Sequence, residues 1–212
     1  MKDIPIFDTE FGVASLVLRE IPYTAKAYIR IQTALDPAQL IQECVTFCRM
    51  CGAEQIFAAG DAYLCQYEPV TAVVAMRCDR ASVPDSDACL FPVTEETAEQ
   101  WRTIYNRCMA DVPNAAYMDQ AQVREMVHTG DGYFVHKDGM LLGIGKASGG
   151  TIDAVAAVQP GMGETAVRAL VSILQEDTVS VLVADANIRA VRLYERMGFV
   201  QTQEVSRWYR VL

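Results

Sequence analysis

A short stretch near the C-terminus carries an amide and a phenol at a spacing that places both over one ligand. Residues 187–199 read N-I-R-A-V-R-L-Y-E-R-M-G-F and follow the apolar run 178–184. Asn187 is a good N-cap, and Gly198 stands where helices often end on a residue without Cβ. Asn187 and Tyr194 are two turns apart and therefore share one helix face. The pattern predicts a helix of about three turns between two strands.

A second stretch has the chemistry of an anion site. The link V-Q-P-G-M-G-E-T-A, Val158 to Ala166, joins a predicted strand to a helix N-terminus through Gly161 and Gly163. Such a junction leaves backbone N–H groups unpaired and carries a partial positive charge, so it can hold a phosphate. Glu164 adds a like charge that opposes a bound phosphate. A capped strand-to-helix junction without a ligand is the alternative interpretation.

These residues resemble a known family. Asn187, Ala190, Leu193-Tyr194-Glu195 and Gly198-Phe199 are similar to the penultimate helix of the GNAT superfamily, the N-acyltransferases that use acyl-CoA as donor. The resemblance covers residues 89–212. It implies an α/β fold with a mixed, mostly antiparallel twisted sheet flanked by helices.

The resemblance also implies where the CoA pyrophosphate binds. The family's pattern at the glycine junction is Arg/Gln-x-x-Gly-x-Gly/Ala, which Gly161 and Gly163 match. Val158 stands where the basic or glutamine residue is expected, and the loop is shortened. The expected acyl-CoA contacts are Ala157, Val158, Gly161, Met162, Gly163, Glu164, Thr165, Ala166, Asn187 and Tyr194.

Roles for the side chains follow from the same resemblance. Tyr194 would protonate the departing CoA thiolate. With the ordinary pKa values of a phenol and a thiol, this proton transfer costs about 2 kcal/mol. A core tyrosine bonded to a backbone carbonyl is the alternative. Asn187 would bond the pantetheine arm and can act as the N-cap at the same time. No general base is identifiable: Asp153 on the central strand and water-mediated deprotonation both stay open.

Composition narrows the class of protein. The chain has 212 residues and a net charge of −9, without the Lys and Arg clusters that nucleic-acid binding requires. No apolar run reaches the roughly 18 residues of a membrane helix, and the start lacks the order of a signal peptide. We expect a cytoplasmic protein that binds no nucleic acid and no membrane.

Three of the seven cysteines have a spacing that needs explanation. Cys44, Cys48 and Cys51 form C-x3-C-x2-C, the spacing that radical enzymes use for an iron–sulfur cluster. The run from Pro37 to Gly52 has the pattern of a helix, whereas cluster ligands usually lie on a loop. Positions 40, 44, 47, 48 and 51 then form one apolar stripe, and buried cysteine behaves as a small hydrophobe. We expect core cysteines and no metal.

The order of elements suggests two parts. Residues 1–88 read as an N-terminal α/β extension, with strands in 12–32, a helix at 37–51, a strand at 55–59 and an antiparallel pair at 63–67 and 70–78. Residues 89–212 read as the GNAT-like domain. It begins with a strand and a capping box, T-E-E-T, at Thr94. A helix at 119–128 and a hairpin across Lys137-Asp138-Gly139 follow.

The two parts share a weak internal similarity. Residues 27–60 and 152–185 have the same order of strand, loop, helix and strand. The N-terminal extension therefore resembles a degenerate half-repeat that lacks the helix with Asn187 and Tyr194.

The expected function is transfer of an acetyl or other short acyl group from acetyl-CoA to a primary amine of a small molecule or peptide. An acidic protein favours a cationic amine. A GNAT-like binding or assembly module without catalysis is the alternative, favoured by the shortened loop and Glu164. Whether the protein forms a homodimer stays open.

Overall fold

The chain forms two compact units in the computed structural model, which describes residues 5–212. The first unit runs to Ala72 and takes in Glu204–Leu212, and the second is Val73–Gln203. The units do not coincide with the two segments expected from the sequence. The domain division at 88/89 stays a prediction.

The first unit contains a sheet with one helix of several turns packed against it. Its elements are β1 (Ile6–Thr9), β2 (Gly12–Val17), α1 (Ile21–Thr24), β3 (Lys26–Ala34), α2 (Pro37–Met50), β4 (Gln55–Ala59) and a 3₁₀ helix (Ala62–Gln66). β1, β2 and β3 pair antiparallel, and β3 pairs parallel with β4. Buried apolar residues of β2, β3, β4 and α2 form the core.

One strand predicted in this unit is wrong. The sequence predicts a strand at residues 63–67, but Ala62–Gln66 is a 3₁₀ helix. The Asp61 side chain accepts a hydrogen bond of 2.8 Å from Tyr63 N and so starts a turn. Tyr63 and Tyr67 favour a strand by propensity, but the local turn prevails.

The second unit contains a sheet with helices packed against it. Its elements are the end of β5 (Glu68–Asp79), β6 (Cys89–Pro92), α3 (Ala98–Met109), α4 (Gln120–Thr129), β7 (Gly132–Lys137), β8 (Met140–Ser148), β9 (Thr151–Ala157), α5 (Gly163–Ile173), β10 (Thr178–Ala184), α6 (Ile188–Arg196) and the start of β11 (Val200–Arg210). The strand order is β5-β10-β9-β8-β7-β6. Of the five pairings in this order, the one between β9 and β10 is parallel and the other four are antiparallel. The mixed, mostly antiparallel sheet flanked by helices is therefore confirmed.

Local sequence signals explain most turns and helix ends. Asp138 and Gly139 both have positive φ, 51° and 77°, as a tight hairpin turn requires. Asp119 and Gln122 form a reciprocal capping box at the start of α4. The capping box predicted at Thr94 is wrong, because α3 begins at Ala98 and Thr94 N donates to the Thr97 hydroxyl over 2.9 Å.

Each unit is completed by a strand that lies far away in sequence. β5 follows the first strand–helix–strand segment along the chain, yet residues 73–79 of β5 pair antiparallel with β10 in the second unit. β11 follows the second segment, yet its residues Tyr209 and Arg210 pair antiparallel with β4 in the first unit. Sequence order alone did not indicate this exchange.

The cysteines of α2 lie mostly in the core. Cys44 and Cys48 are buried, whereas Cys51 and Phe47 are exposed, so the predicted apolar stripe is only partly buried. Burial raises the pKa of the Cys44 thiol to about 12. Among residues 5–212, no group of three or more His, Cys, Asp or Glu side chains is placed to hold a metal ion. Within the same range, no helix is long and apolar enough to cross a membrane.

Candidate functional site

The central strands of the second unit separate and leave a cleft. β9 and β10 pair only at Thr151 with Ser180 and at Ile152 with Val181. Beyond these pairs, residues 153–157 of β9 and 182–184 of β10 are not paired with one another. Backbone groups alternate between the two neighbours of a strand, so those of β9 that point away from β8 are open along the cleft.

A bulge ends the cleft on the β9 side. Val158 N and Gln159 N both donate to Leu142 O of β8, over 2.8 and 3.2 Å. Two residues opposite one partner redirect a strand, and here they turn the chain out of the sheet toward α5. Val158 itself packs against the core next to α3 and α4. The residue that departs from the family pattern is therefore an apolar packing residue.

The N-terminus of α5 offers open amides at this end of the cleft. Its N-cap, Met162, provides no side-chain hydrogen bond. Met162 N donates to Gln159 O and Ala166 N donates to Met162 O, so these two predicted contacts already have backbone partners. The amides of Gly163, Glu164 and Thr165 form the first turn, where a helix provides no acceptor. The anion-binding capacity predicted for residues 161–166 is thus concentrated in these three.

Glycine suits the two positions of the junction, 161 and 163, for different reasons. Gly161 has φ 82°, and a Cβ there would meet nothing within 4 Å. Gly163 has ordinary backbone geometry, but its Cβ would lie 3.1 Å from Leu193 Cδ2 of α6. Gly163 therefore allows the first turn of α5 to lie against α6, the helix that carries Tyr194. This contact brings the two stretches found in the sequence together.

The charge of Glu164 is compensated within α5. The Glu164 carboxylate forms an ion pair with the Arg168 guanidinium one turn later. Arg168 Nε is buried and has no hydrogen-bond partner among residues 5–212. Sequence reasoning missed Arg168, although a Glu and an Arg four residues apart are a signal for such a pair. The repulsion expected between Glu164 and a bound phosphate is reduced by this neighbour.

Helix α6 places the amide and the phenol differently with respect to solvent. The Asn187 side-chain oxygen accepts from Ala190 N over 3.3 Å, so the N-cap role is confirmed and the amide NH₂ remains as a donor. Tyr194 is only 6% exposed and lies against Phe199, with ring centroids 5.3 Å apart. Burial raises the pKa of the Tyr194 phenol to about 12.

Asp153 is tied into an ion network. Lys146 Nζ lies 2.7 Å from the Asp153 carboxylate and 2.9 Å from that of Asp131. The Thr129 hydroxyl donates to Asp131 over 2.8 Å. The Asp153 carboxylate is therefore engaged by Lys146, and no feature of residues 5–212 assigns it the role of a general base.

A groove of about 720 Å³ lies on the helical side of the second unit. The groove lies between α3 and α4, with an apolar floor that includes Val123 and Val127. Its rim carries both signs of charge, with Glu95 and Glu99 opposite Arg124. A rim of mixed charge does not by itself select a substrate.

Comparison with known proteins gives the class of fold. No protein-family model and no curated protein matches the sequence. Solved structures do match. One is a conserved protein of unknown function from Staphylococcus epidermidis ATCC 12228, with a TM-score of 0.63 at 10% identity over 99% of this chain and 94% of that chain.

Two further similar structures are described as GCN5-related N-acetyltransferases. The one from Anabaena variabilis has a TM-score of 0.63 at 12% identity and covers 94% of this chain and 59% of that one. The one from Kribbella flavida has a TM-score of 0.58 at 9% identity and covers 96% and 58%. The fold is therefore that of the GCN5-related N-acetyltransferases, and the resemblance found in the sequence is confirmed at the level of fold.

Proposed function

We propose that the protein transfers an acetyl or other short acyl group from acyl-CoA to a primary amine. The observation that carries the proposal is the open cleft between β9 and β10, which ends at the uncapped N-terminus of α5. An extended thioester arm suits a cleft lined by open backbone groups, and a diphosphate suits the amides of a helix N-terminus. The residues present fit acyl-CoA in this respect.

The donor would be held mainly by the backbone. Gly163, Glu164 and Thr165 would bind the pyrophosphate through their N–H groups, and the Asn187 NH₂ would donate to the pantetheine arm. The paired Arg168 would offset part of the diphosphate charge. Val158 offers no polar contact, so affinity depends on these remaining groups.

Most of the rate would come from holding the amine and the thioester together. Open N–H groups of β9 would polarise the thioester carbonyl and stabilise the negative charge that develops on its oxygen. The amine attacks the carbonyl carbon, the C–S bond breaks, and the departing thiolate takes a proton. In this scheme Tyr194 would supply that proton, and water would accept the proton of the amine.

The burial of Tyr194 raises the cost of proton donation by its phenol. With a pKa of about 12, the phenol is a weaker acid than in water. Proton transfer to a thiolate with an ordinary pKa near 8.5 then costs about 5 kcal/mol. A thiolate in the same dry cleft would also have a raised pKa, which reduces this difference.

Donor binding is tested by thermal unfolding with acetyl-CoA. Ligand at 100 times its dissociation constant should stabilise the protein by about 2.7 kcal/mol, a rise of several degrees. S-acetylpantetheine lacks the diphosphate and is the matched control, with an expected affinity at least about tenfold weaker. The absence of a shift at millimolar acetyl-CoA would refute donor binding.

Proton donation is tested by thiol release from acetyl-CoA with an amine panel. Tyr194→Phe should lower the rate about 100-fold if the phenol protonates the thiolate. Equal rates for the variant and the wild type would remove Tyr194 from the mechanism while leaving acyl transfer intact.

A second candidate function is a GNAT-like binding or assembly module without catalysis. The observation that favours it is the burial of the Tyr194 side chain together with the apolar Val158. Binding of acetyl-CoA without thiol release for any amine tested would support this function over the enzyme.

A further inference from the structure

A polar groove lies at the carboxyl ends of the parallel strands in the first unit. Its volume is about 370 Å³, which is enough for a small molecule. The walls come from the end of β3, from the turn after β4 and from residues 204–209. Crevices at the carboxyl ends of parallel strands are common ligand sites in α/β folds.

Ion pairing within the groove leaves one cationic and one anionic side chain without an ion-pair partner among residues 5–212. Its lining contains two arginines and two carboxylates: Arg30, Arg207, Asp61 and Glu204. Arg207 and Glu204 neutralise each other through two hydrogen bonds of 3.1 and 2.5 Å. Neither Arg30 nor Asp61 forms an ion pair with any residue in 5–212. Arg30 and Asp61 are therefore the charges left for a ligand.

Arg30 is supported by an aromatic platform. Its guanidinium carbon lies 5.7 Å from the centre of the Trp208 ring. Trp208 is 5% exposed and makes an edge contact with Tyr28 at 5.6 Å, so the platform is fixed. The guanidinium is planar, and its N–H donors match the two oxygens of a carboxylate.

Asp61 is held in place by its own backbone segment. Its Oδ1 accepts from Tyr63 N over 2.8 Å, which leaves the second carboxylate oxygen as an acceptor. The preceding Gly60 has φ 108°, and a Cβ there would lie 2.3 Å from Ile31 O. Gly60 thus lets the chain turn sharply against β3, and this turn brings Asp61 into the groove that Arg30 also lines.

We propose that this groove binds a free α-amino acid, with its carboxylate on Arg30 and its ammonium group on Asp61. A simple anion would be attracted by Arg30 but repelled by Asp61. A simple cation would be attracted by Asp61 but repelled by Arg30. A zwitterion satisfies both groups and leaves neither charge unpaired. The site is separate from the proposed acyl transfer and does not depend on it.

The first test uses the full-length protein labelled with ¹⁵N and the twenty free L-amino acids as probes. At least one amino acid should shift the amide signals of Gly60 and Ala62 with a dissociation constant below about 10 mM. The absence of shifts at both amides for all twenty would overturn the proposal.

Charge changes on the ligand test the recognition without altering the protein. The amide of the best binder lacks the carboxylate, and its N-acetyl derivative lacks the ammonium group. Each should bind at least about tenfold more weakly. Equal affinity of all three compounds would overturn the assignment of Arg30 and Asp61.

Variants connect each ligand charge to one residue. In Arg30→Gln the penalty for the ligand amide should disappear, and in Asp61→Asn the penalty for the N-acetyl ligand should disappear. Asparagine keeps the capping hydrogen bond to Tyr63 N, so the turn should be retained. Arg49→Gln removes the same charge from an exposed position at the end of α2 and should leave binding unchanged. Penalties that persist in both groove variants would contradict the proposal.

Discussion

The two strand–helix–strand segments of the chain have the same order of elements but treat the space between their strands differently. β3 and β4 pair in parallel over five residue pairs, from Lys26 with Gln55 to Arg30 with Ala59. β9 and β10 pair over only two. One segment closes its sheet, and the other leaves a cleft.

The N-termini of the two helices, α2 and α5, also differ in how completely their backbone N–H groups are satisfied. α2 starts at Pro37, which has no N–H, and the Asp36 side chain accepts from Gln39 N over 3.1 Å. α5 starts at Gly163 behind Met162, which provides no cap. Strand pairing and helix capping both satisfy backbone groups in the first segment, whereas both leave such groups open in the second. The gap between β9 and β10 therefore corresponds to backbone hydrogen bonds that the second segment does not make.

The largest expected effect distinguishes a glycine in the closed segment from one in the open segment. Gly60→Ala combines φ 108° with a contact of 2.3 Å to Ile31 O, so it should lower the unfolding free energy by about 3–5 kcal/mol. Gly161→Ala adds a methyl group to open space at φ 82° and should cost only about 1 kcal/mol. Urea unfolding of both variants measures the difference. Similar losses would show that the turn after β4 is no tighter than the α5 junction.

An intermediate effect concerns the buried tyrosine of the open segment. Burial raises the pKa of Tyr194 from 10.0 to about 12, so the folded state holds this proton more tightly than the unfolded state. The protonated Tyr194 phenol therefore contributes fully to the unfolding free energy below pH 10. This contribution, about 3 kcal/mol, is lost as the pH rises to 12.

The measurement is the unfolding free energy of wild type and Tyr194→Phe from pH 8 to 12. The wild type should lose more stability than the variant above pH 10. Losses below that pH should be common to both proteins, because Cys44 and Cys48 of the closed segment, with pKa values raised to about 12 and 11 from 9.0, begin to ionise earlier in the unfolded chain. Parallel curves would show that the Tyr194 hydroxyl is solvated.

Features that depend on neighbouring residues were predictable from the sequence. The D-G turn before Met140, the helix predicted at 119–128 and the proline-started helix α2 each depend on contacts within a few residues. The same holds for the Asn187 cap and for the two glycines at the start of α5. Together with the residue pattern of α6, these signals were enough to indicate the GNAT fold. The position of the site stays a prediction.

Features that depend on distant contacts were not predictable. The exchange of β5 and β11 between the units, the separation of β9 from β10 and the burial of Tyr194 are set by pairings across the chain. The error at Thr94 has another cause, since Thr94 and Thr97 are both capping residues and three positions apart. Local propensity does not decide between two adequate starts.

The smallest expected effect on stability tests whether the open helix start is a binding feature. Met162→Asp places a carboxylate where α5 has no cap, so it should stabilise the protein by about 1 kcal/mol and weaken acetyl-CoA binding at least about tenfold. Asp36→Ala removes the cap of α2, a helix with no proposed ligand, and is the control for the effect of capping on stability alone. It should destabilise by about 1 kcal/mol without changing acetyl-CoA affinity, as measured by urea unfolding and ligand titration of both variants. If Met162→Asp stabilised the protein and left acetyl-CoA affinity intact, the α5 amides would not be the pyrophosphate site, and the difference between the two segments would be structural only.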